Sequence, residues 1–294
     1  MTAVDAGHGA PARRTTSVSR LRLIQQGGGV VLLSVVGLIW VAPFLWGIVT
    51  SFKSEADAAA LPVRVVPEGG WTLAAYRSVL EQGDLVRWLA NSLFTATVIT
   101  AVTLVISAMA AYALSRGLFR GRRLLMAATL ASIMVPGQIL IVPLFQEMLL
   151  LNMIDTYWAI ILPQVVAPVM VFVLKRFFDA IPIELEDAAR VDGASRWRTF
   201  VSVVLPLSRS VLSAVAIFVF IGAWNNFLWP FIAVNDPGLM TMPVGLATVE
   251  NAYGVQYAQD NAAAVLAALP LLVVFVLFQR HIVRGFATTG LGGQ

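Results

Sequence analysis

Residues 184–207, "ELEDAARVDGASRWRTFVSVVLPL", put four acids (Glu184, Glu186, Asp187, Asp192) and three arginines (Arg190, Arg196, Arg198) into fifteen positions of a chain that is otherwise very apolar. The local pattern reads helix, turn, helix. Pro182 precedes the first helix, and Glu184, Glu186 and Asp187 fall in its opening turns, where the positive end of the helix dipole favours a carboxylate. Leu185, Ala188 and Ala189 recur at i, i+3 and i+4 and mark one narrow apolar face. Asp192-Gly193 closes the helix, with Gly193 supplying the left-handed conformation common just past a helix end. Ser195 caps a second helix that runs through Trp197 and Phe200 to Leu205, before Pro206. A solvated loop with helical propensity is the plain alternative. Two features favour a docking surface instead. The small pair Ala188-Ala189 beside Gly193 admits another backbone at close range, and the connection between the flanking apolar runs exceeds thirty residues, a length usually tied to function.

The surrounding composition says where this hairpin lies. Of 294 residues 59% are hydrophobic and 12% charged, with a mean hydropathy of +0.82. Soluble domains are about 45–50% apolar and about 25% charged, so the chain reads as an integral membrane protein embedded in a lipid bilayer. It has no cysteine, which excludes disulfides, thiolate metal sites and cysteine nucleophiles. The only histidines are His8 and His281, both in expected tails. The net charge of +4 reads as membrane topology, not as nucleic-acid binding.

A helix needs roughly 20 mostly apolar residues to cross a bilayer. Six uncharged windows qualify: 30–52, 92–114, 124–146, 157–174, 211–234 and 262–279. Of the 20 Lys and Arg, 16 fall before the first window, between the second and third, between the fourth and fifth, or after the sixth. By the positive-inside rule those segments are cytoplasmic, as are both termini. Segments 147–156 and 235–261 carry no Lys or Arg and read as external. The expected organisation is an N-terminal tail over 1–29, a six-span all-α domain over 30–285 with a cytoplasmic hairpin at 182–206, and a C-terminal tail over 286–294. The first window follows a basic segment, but it is longer than the roughly 7–15 apolar residues of a signal core and is read as a retained span. Within the polar segment 53–91, an extended piece at 62–67 precedes an amphipathic helix at 73–80, with Thr72 as N-cap.

None of the six windows contains Asp, Glu, Lys, Arg or His. Proton-driven carriers use such groups as relays, so the energy source is expected outside the bilayer. No HExxH, GxSxG or GxxxxGK[ST] motif is present, and the chain is expected neither to catalyse a reaction nor to hydrolyse ATP itself. Intramembrane polarity comes from amides, hydroxyls and prolines: Gln138 beside Pro136 and Gly137, Gln164 between Pro163 and Pro168, and Asn225-Asn226 in the fifth window. These amides either line a translocation path or hold helices together at about 1 kcal/mol each. Trp224 and Trp229 are consistent with interfacial anchors. Ser107, Ala111 and Ser115 form a small-residue ridge suited to helix packing.

The hairpin residues "DAARVDGASRWRTFVSVVLPL" resemble the EAA motif of ABC importer permeases, with Asp187-Ala188-Ala189, Gly193 and Leu205-Pro206 at the matching positions. "GAWNNFLWP", "VPGQILIVPLF" and "AAYALSR" also resemble carbohydrate permeases related to the maltose-system permease MalG, so the resemblance spans residues 30–285. It implies the type I importer permease fold. It also implies a second homologous permease, two ATPase subunits that hold ATP and Mg, an extracytoplasmic solute-binding protein and a sugar substrate, with no cofactor on this chain. By motif match, Glu186, Asp187, Ala188, Ala189, Asp192 and Gly193 form the coupling helix that docks on an ATPase. Asp187 stands where the family usually has Glu, so Glu186 is a second candidate for that contact. The aromatic and amide-rich segment 251–260, with Asn251, Tyr253, Gln256 and Tyr257, occupies the place of the family loop that reaches towards the binding protein. The ending "GFATTGLGGQ" departs from the family's tail. The resemblance leaves a permease for glycerol phosphate or a polyamine open, and an ion-gradient carrier is the alternative from another class.

Overall fold

The computed structural model describes residues 16–81, 84–253 and 255–290, and among them there are helices and no strands. His8 and most of the expected N-terminal tail lie outside the described residues, as do residues 291–294. Helix α1 (Thr16–Ser51) contains an apolar stretch, Gly29–Ser51, long enough to cross a membrane. A short α2 (Glu55–Ala58) follows, capped by Ser54, whose Oγ accepts from the Asp57 N–H. The amphipathic helix appears as α3 (Ala74–Glu81), and the Thr72 Oγ1 accepts from the Ala74 N–H at 3.1 Å. The Asp57 carboxylate ties the preceding loop down by accepting from the Glu68 and Gly69 N–H groups.

Helix α4 (Asp84–Arg116) is the central strut. At 33 residues it is about 50 Å long, well beyond the hydrocarbon core, so its ends stand clear of the apolar window on both sides. Ser107, Ala111 and Ser115 are all buried on it, the ridge expected from their spacing. Their small side chains let α8 (below) pack closely, with Leu174 and Phe178 seated on Ala108 and Ala111.

The next two windows are each broken in two. The window at 124–146 becomes α5 (Arg122–Ile133) and, after a 3₁₀ turn at Gly137–Leu140, α6 (Ile141–Leu150), bent by 95°. The window is interrupted at Pro136-Gly137-Gln138, where the chain turns a sharp corner. Pro136 holds an extended conformation (φ −61°, ψ 127°), and the residue before a proline is driven away from the helical region. The window at 157–174 becomes α7 (Tyr157–Ile161) with a 3₁₀ turn, then α8 (Pro168–Asp179), bent by 45°. Pro168 opens α8, a position where its missing N–H costs nothing. The hairpin then supplies α9 (Ile183–Val191), α10 (Arg196–Thr199), a π-turn at Phe200–Val204 and α11 (Leu205–Leu207).

Helix α12 (Arg209–Trp224) meets the hairpin at an 80° bend and ends ten residues short of the expected limit at 234. Residues 225–227 interrupt it before α13 (Leu228–Ala233). At this break the exposed Asn225 side chain bonds back to the Ile221 carbonyl of its own helix, while Asn226 reaches across to Gln164. Segment 235–261, expected to be external, contains α14 (Met242–Tyr253) and the start of α15 (Tyr257–Gly290), which continues helical past the expected end at 279 and into the expected tail. The Glu55 carboxylate caps α15 from another part of the chain, accepting from the Ala258 N–H at 3.2 Å and the Gln259 N–H at 2.9 Å.

Among the described residues, three unbroken helices are long and apolar enough to span a bilayer, and counting each of three bent pairs as one span makes up to six. α4 packs against α8 and α12, and α1 and α12 pack against α15. Large apolar side chains on α1 face outward, Leu33 at 72% and Trp40 at 74% exposure. That surface is unsuited to water and matches lipid or another apolar helix. Trp224 and Trp229, expected at the membrane interface, are buried instead, and the Trp229 indole donates to the Ala159 carbonyl at 2.9 Å. Neighbouring helices supply that polar partner, and an interfacial position is not needed.

Candidate functional site

The hairpin folds as its local pattern directs. Pro182 sits before α9 in an extended conformation, and Glu184 and Glu186 occupy the first turn. The helix ends in a complete Schellman motif: the Ala194 N–H donates to the Ala189 carbonyl at 2.9 Å and the Gly193 N–H to Arg190 at 3.0 Å. Gly193 has φ +81°, the conformation that motif requires. A Cβ there would meet nothing within 4 Å, so within this chain the glycine answers to backbone geometry and not to close packing. The Ser195 Oγ accepts from the Arg198 N–H and starts the return helix. The Leu205 N–H then bonds back to the Phe200 carbonyl in the π-turn, one residue before Pro206, which has no N–H to offer.

The adjacent acids Glu186 and Asp187 point in different directions. Asp187 is exposed, and Arg190 Nη1 donates to its Oδ1 at 3.0 Å. Ala188, Asp192 and Gly193 are exposed beside it, with Leu185 at 46%, Val191 at 88% and Trp197 at 62%. Ala189 is half-buried, so the face that Leu185, Ala188 and Ala189 share is only partly covered. Glu186 is completely buried. Its Oε1 accepts from Arg116 Nε at 2.6 Å and its Oε2 from the Tyr112 hydroxyl at 3.1 Å. Glu186, the second candidate for the partner contact, is therefore not on the open surface that Asp187 occupies. Its carboxylate is turned into the body, because a buried carboxylate is stable only when paired and hydrogen-bonded.

Arg116 holds this part of the structure together. Besides Glu186, its Nη2 donates to the carbonyls of Phe178 (2.9 Å) and Ile181 (2.7 Å), at the C-terminal end of α8. Ser115 Oγ donates to Asp179 Oδ1 at 2.7 Å, and Lys175 pairs with the same carboxylate. The only sign of this in the sequence is that Arg116 is the first charge after the second apolar window.

The pathway amides are partly brought together. Asn226 Nδ2 donates to Gln164 Oε1 at 2.6 Å, joining the break after α7 to the break after α12. Gln164 Nε2 donates to the Ile160 carbonyl. Asn225 bonds back to Ile221 on its own helix, and Gln138 is exposed on the 3₁₀ turn between α5 and α6. Of the external candidates, Asn251 and Tyr253 fall in the last turn of α14, and their side chains lie outside the described residues. Gln256 is half-buried and Tyr257, at 49% exposure, opens α15. The segment expected to be a loop is therefore largely helical. Asp155 in the shorter external loop accepts from the N–H groups of Asn235 and Asp236, and the bond from Asn235 above all holds its carboxyl below the usual carboxylate range.

Residues 103–288 match the family of the binding-protein-dependent transport system inner membrane component. The chain is 34% identical over 260 residues to the arabinooligosaccharides transport system permease protein AraQ of Halalkalibacterium halodurans, covering 88% of this chain and 93% of the relative. It is also 34% identical over 271 residues to the trehalose/maltose transport system permease protein MalG of Thermococcus litoralis, covering 90% and 95%. The diacetylchitobiose uptake system permease protein NgcG of Streptomyces coelicolor is 32% identical over 255 residues, covering 85% and 84%. A chain from the crystal structure of a bacterial ABC transporter involved in the import of the acidic polysaccharide alginate shares the fold, with a TM-score of 0.79 at 20% identity over 92% of this chain and 99% of that one. This is a multi-pass membrane protein with a transport role and not an enzyme, and it belongs to the family of binding-protein-dependent transport system inner membrane components.

Proposed function

We propose that this chain is one of two homologous permease subunits of an ATP-driven sugar importer. Two ATPase subunits carry ATP and Mg on the cytoplasmic side, and an extracytoplasmic solute-binding protein delivers the sugar. Both termini are cytoplasmic in this reading, supported by the 16 arginines and lysines assigned to that side. The observation that carries it is the hairpin, where one face of α9 leaves Asp187, Ala188, Val191 and Asp192 open to a partner while Glu186 anchors the opposite face to the membrane helices. ATPase closure displaces α9, and the broken spans change their arrangement to open the path alternately to the two sides. Gln164 and Asn226, paired across two breaks, are the polar groups placed to line that path.

Sugar as the cargo is supported by the names of the relatives, which include permeases for arabinooligosaccharides, trehalose and maltose, diacetylchitobiose and sulfoquinovosyl glycerol. No comparable observation favours glycerol phosphate, a polyamine or an ion-gradient carrier. The test is purification of the tagged chain from its own membranes in mild detergent, with uptake of labelled oligosaccharides measured in the same cells. The expected result is a co-purifying ATPase and second permease, with sugar uptake that stops on ATP depletion. Uptake that survives ATP depletion and follows an ion gradient overturns the reading.

A further inference from the structure

Among the residues of α9, Glu186 is the one buried side chain. A surface helix is ordinarily held by an apolar stripe, yet here the anchor is a carboxylate. That carboxylate binds Arg116, the last residue of α4, and the same guanidinium holds the carbonyls of Phe178 and Ile181 at the end of α8. One planar side chain therefore clasps three bodies: the exposed hairpin helix and the cytoplasmic ends of two membrane helices. A chain of charges leads outward from it. Glu186 faces Arg190 Nη2 at 3.9 Å, and Arg190 Nη1 bonds Asp187 on the open face at 3.0 Å.

We infer that Arg116 and Glu186 are the joint through which displacement of α9 reaches α4 and α8, which makes them positioning residues for transport. The inference rests on the importer reading and names the internal end of that coupling. A guanidinium suits the task because its donors lie in a fixed fork, so the angles between all three partners are set at once. A buried ion pair is a weak source of net stability, and its best-attested use is to select one arrangement of packed elements. Hydrophobic contacts alone would let α9 slide, since apolar surfaces are non-directional.

The test uses the whole complex, purified through a tag on this chain. The chain has no cysteine, so spin labels can be placed through Glu184→Cys on α9 and Arg120→Cys beyond the end of α4. In the otherwise wild-type complex the distance between the labels stays constant between nucleotide-free and ATP-bound states, because the two elements move together. Arg116→Lys keeps the charge but gathers its donors on one nitrogen in place of the planar fork that spans Nε and Nη2, and Glu186→Gln keeps the shape but loses the charge. In both, the distance distribution broadens and sugar transported per ATP hydrolysed falls about tenfold, within the range network residues exert on coupling, while the ATPase still co-purifies. Unchanged distance and unchanged transport per ATP in both variants would show a static staple and overturn the joint. Loss of the ATPase from both variants also overturns it, because the pair would then only shape the docking face. A wild-type complex without any ATPase fails at the earlier step and overturns the importer reading itself.

Discussion

The two ends of α4 solve the same problem with different chemistry. At its C-terminal end, Arg116 and Glu186 join segments 70 residues apart through a buried ion pair. Towards its N-terminal end, Trp88, Asn91 and Ser92 bind a segment about twice as distant in sequence through neutral groups. The Trp88 indole donates to the Pro237 carbonyl, Asn91 Nδ2 to the carbonyls of Gly238 and Met240, and the Met242 N–H to Ser92 Oγ. Tyr157 adds a bond from its hydroxyl to Asn91 Oδ1 at 2.7 Å. Gly245 lies so close to the Trp88 ring that a Cβ would come within 2.1 Å of it. The neutral end depends on close fit and many modest bonds. The charged end depends on one pair whose partners cannot be left alone in a low-dielectric interior. A neutral seam depends on fit over many atoms, whereas a charged clasp fixes the direction in which its partners approach.

The largest effect should come from Arg116→Ala. It strands a buried carboxylate and frees two carbonyls, and breaking a buried pair costs about 3–5 kcal/mol. The thermal midpoint of the purified complex, followed by tryptophan fluorescence, should fall by more than for any change at the N-terminal end of α4. A midpoint close to wild type would mean that water or a neighbouring group replaces the guanidinium. Asn91→Ala comes next, since it removes two donors and one acceptor from a mostly buried site. Unpaired polar groups of this kind cost about 1–3 kcal/mol each, less whatever water recovers. The same fluorescence assay checks it, and sugar uptake at permissive temperature should remain, in contrast to the cytoplasmic variants.

Gly193→Ala sharpens the comparison differently. A Cβ finds open space there but forces a left-handed conformation that costs about 1–2 kcal/mol for an L-residue. Co-purification of the ATPase should weaken more than the thermal midpoint, because the turn sets the shape of the exposed face and not the core. Equal losses in both would place Gly193 with the structural residues. The smallest effect belongs to Asp155. Its carboxyl is held below its ordinary value, chiefly by the Asn235 N–H, so its contribution is present above the unfolded carboxylate pKa and is lost as pH falls through the folded one. Wild type should therefore lose a small increment of thermal stability on acidification below about pH 4 that Asp155→Asn does not lose. Parallel pH profiles for the two proteins would remove Asp155 as the source.

Much of this architecture is local, and local information is legible. The apolar windows announce helices because a bilayer requires each crossing segment to satisfy its own backbone and present apolar side chains. The hairpin's turn is likewise written in Asp192-Gly193 and Ser195, whose conformational preferences act over a few residues. Prolines 136 and 168 mark where helices stop, although not by how much the chain then turns. The candidate site is legible as a segment and misread in its sidedness. Glu186 and Asp187 are adjacent acids with the same propensities, and nothing in a period of 3.6 says which of them meets Arg116.

By itself, then, the sequence determined the membrane location, the helical segments, the turn at Gly193 and the presence of a charged hairpin, because each depends on residues within a turn or two of one another or on the solvent the chain must meet. Tertiary structure alone decided that Glu186 faces inward and Asp187 outward, that Arg116 clasps three elements, that Gln164 meets Asn226, and that Trp224 and Trp229 are buried. Those outcomes pair residues whose separation in sequence is unrelated to their separation in space. They are selected by how whole helices pack, and only the packed bundle makes one neighbour of a buried charge or amide affordable and every other neighbour costly.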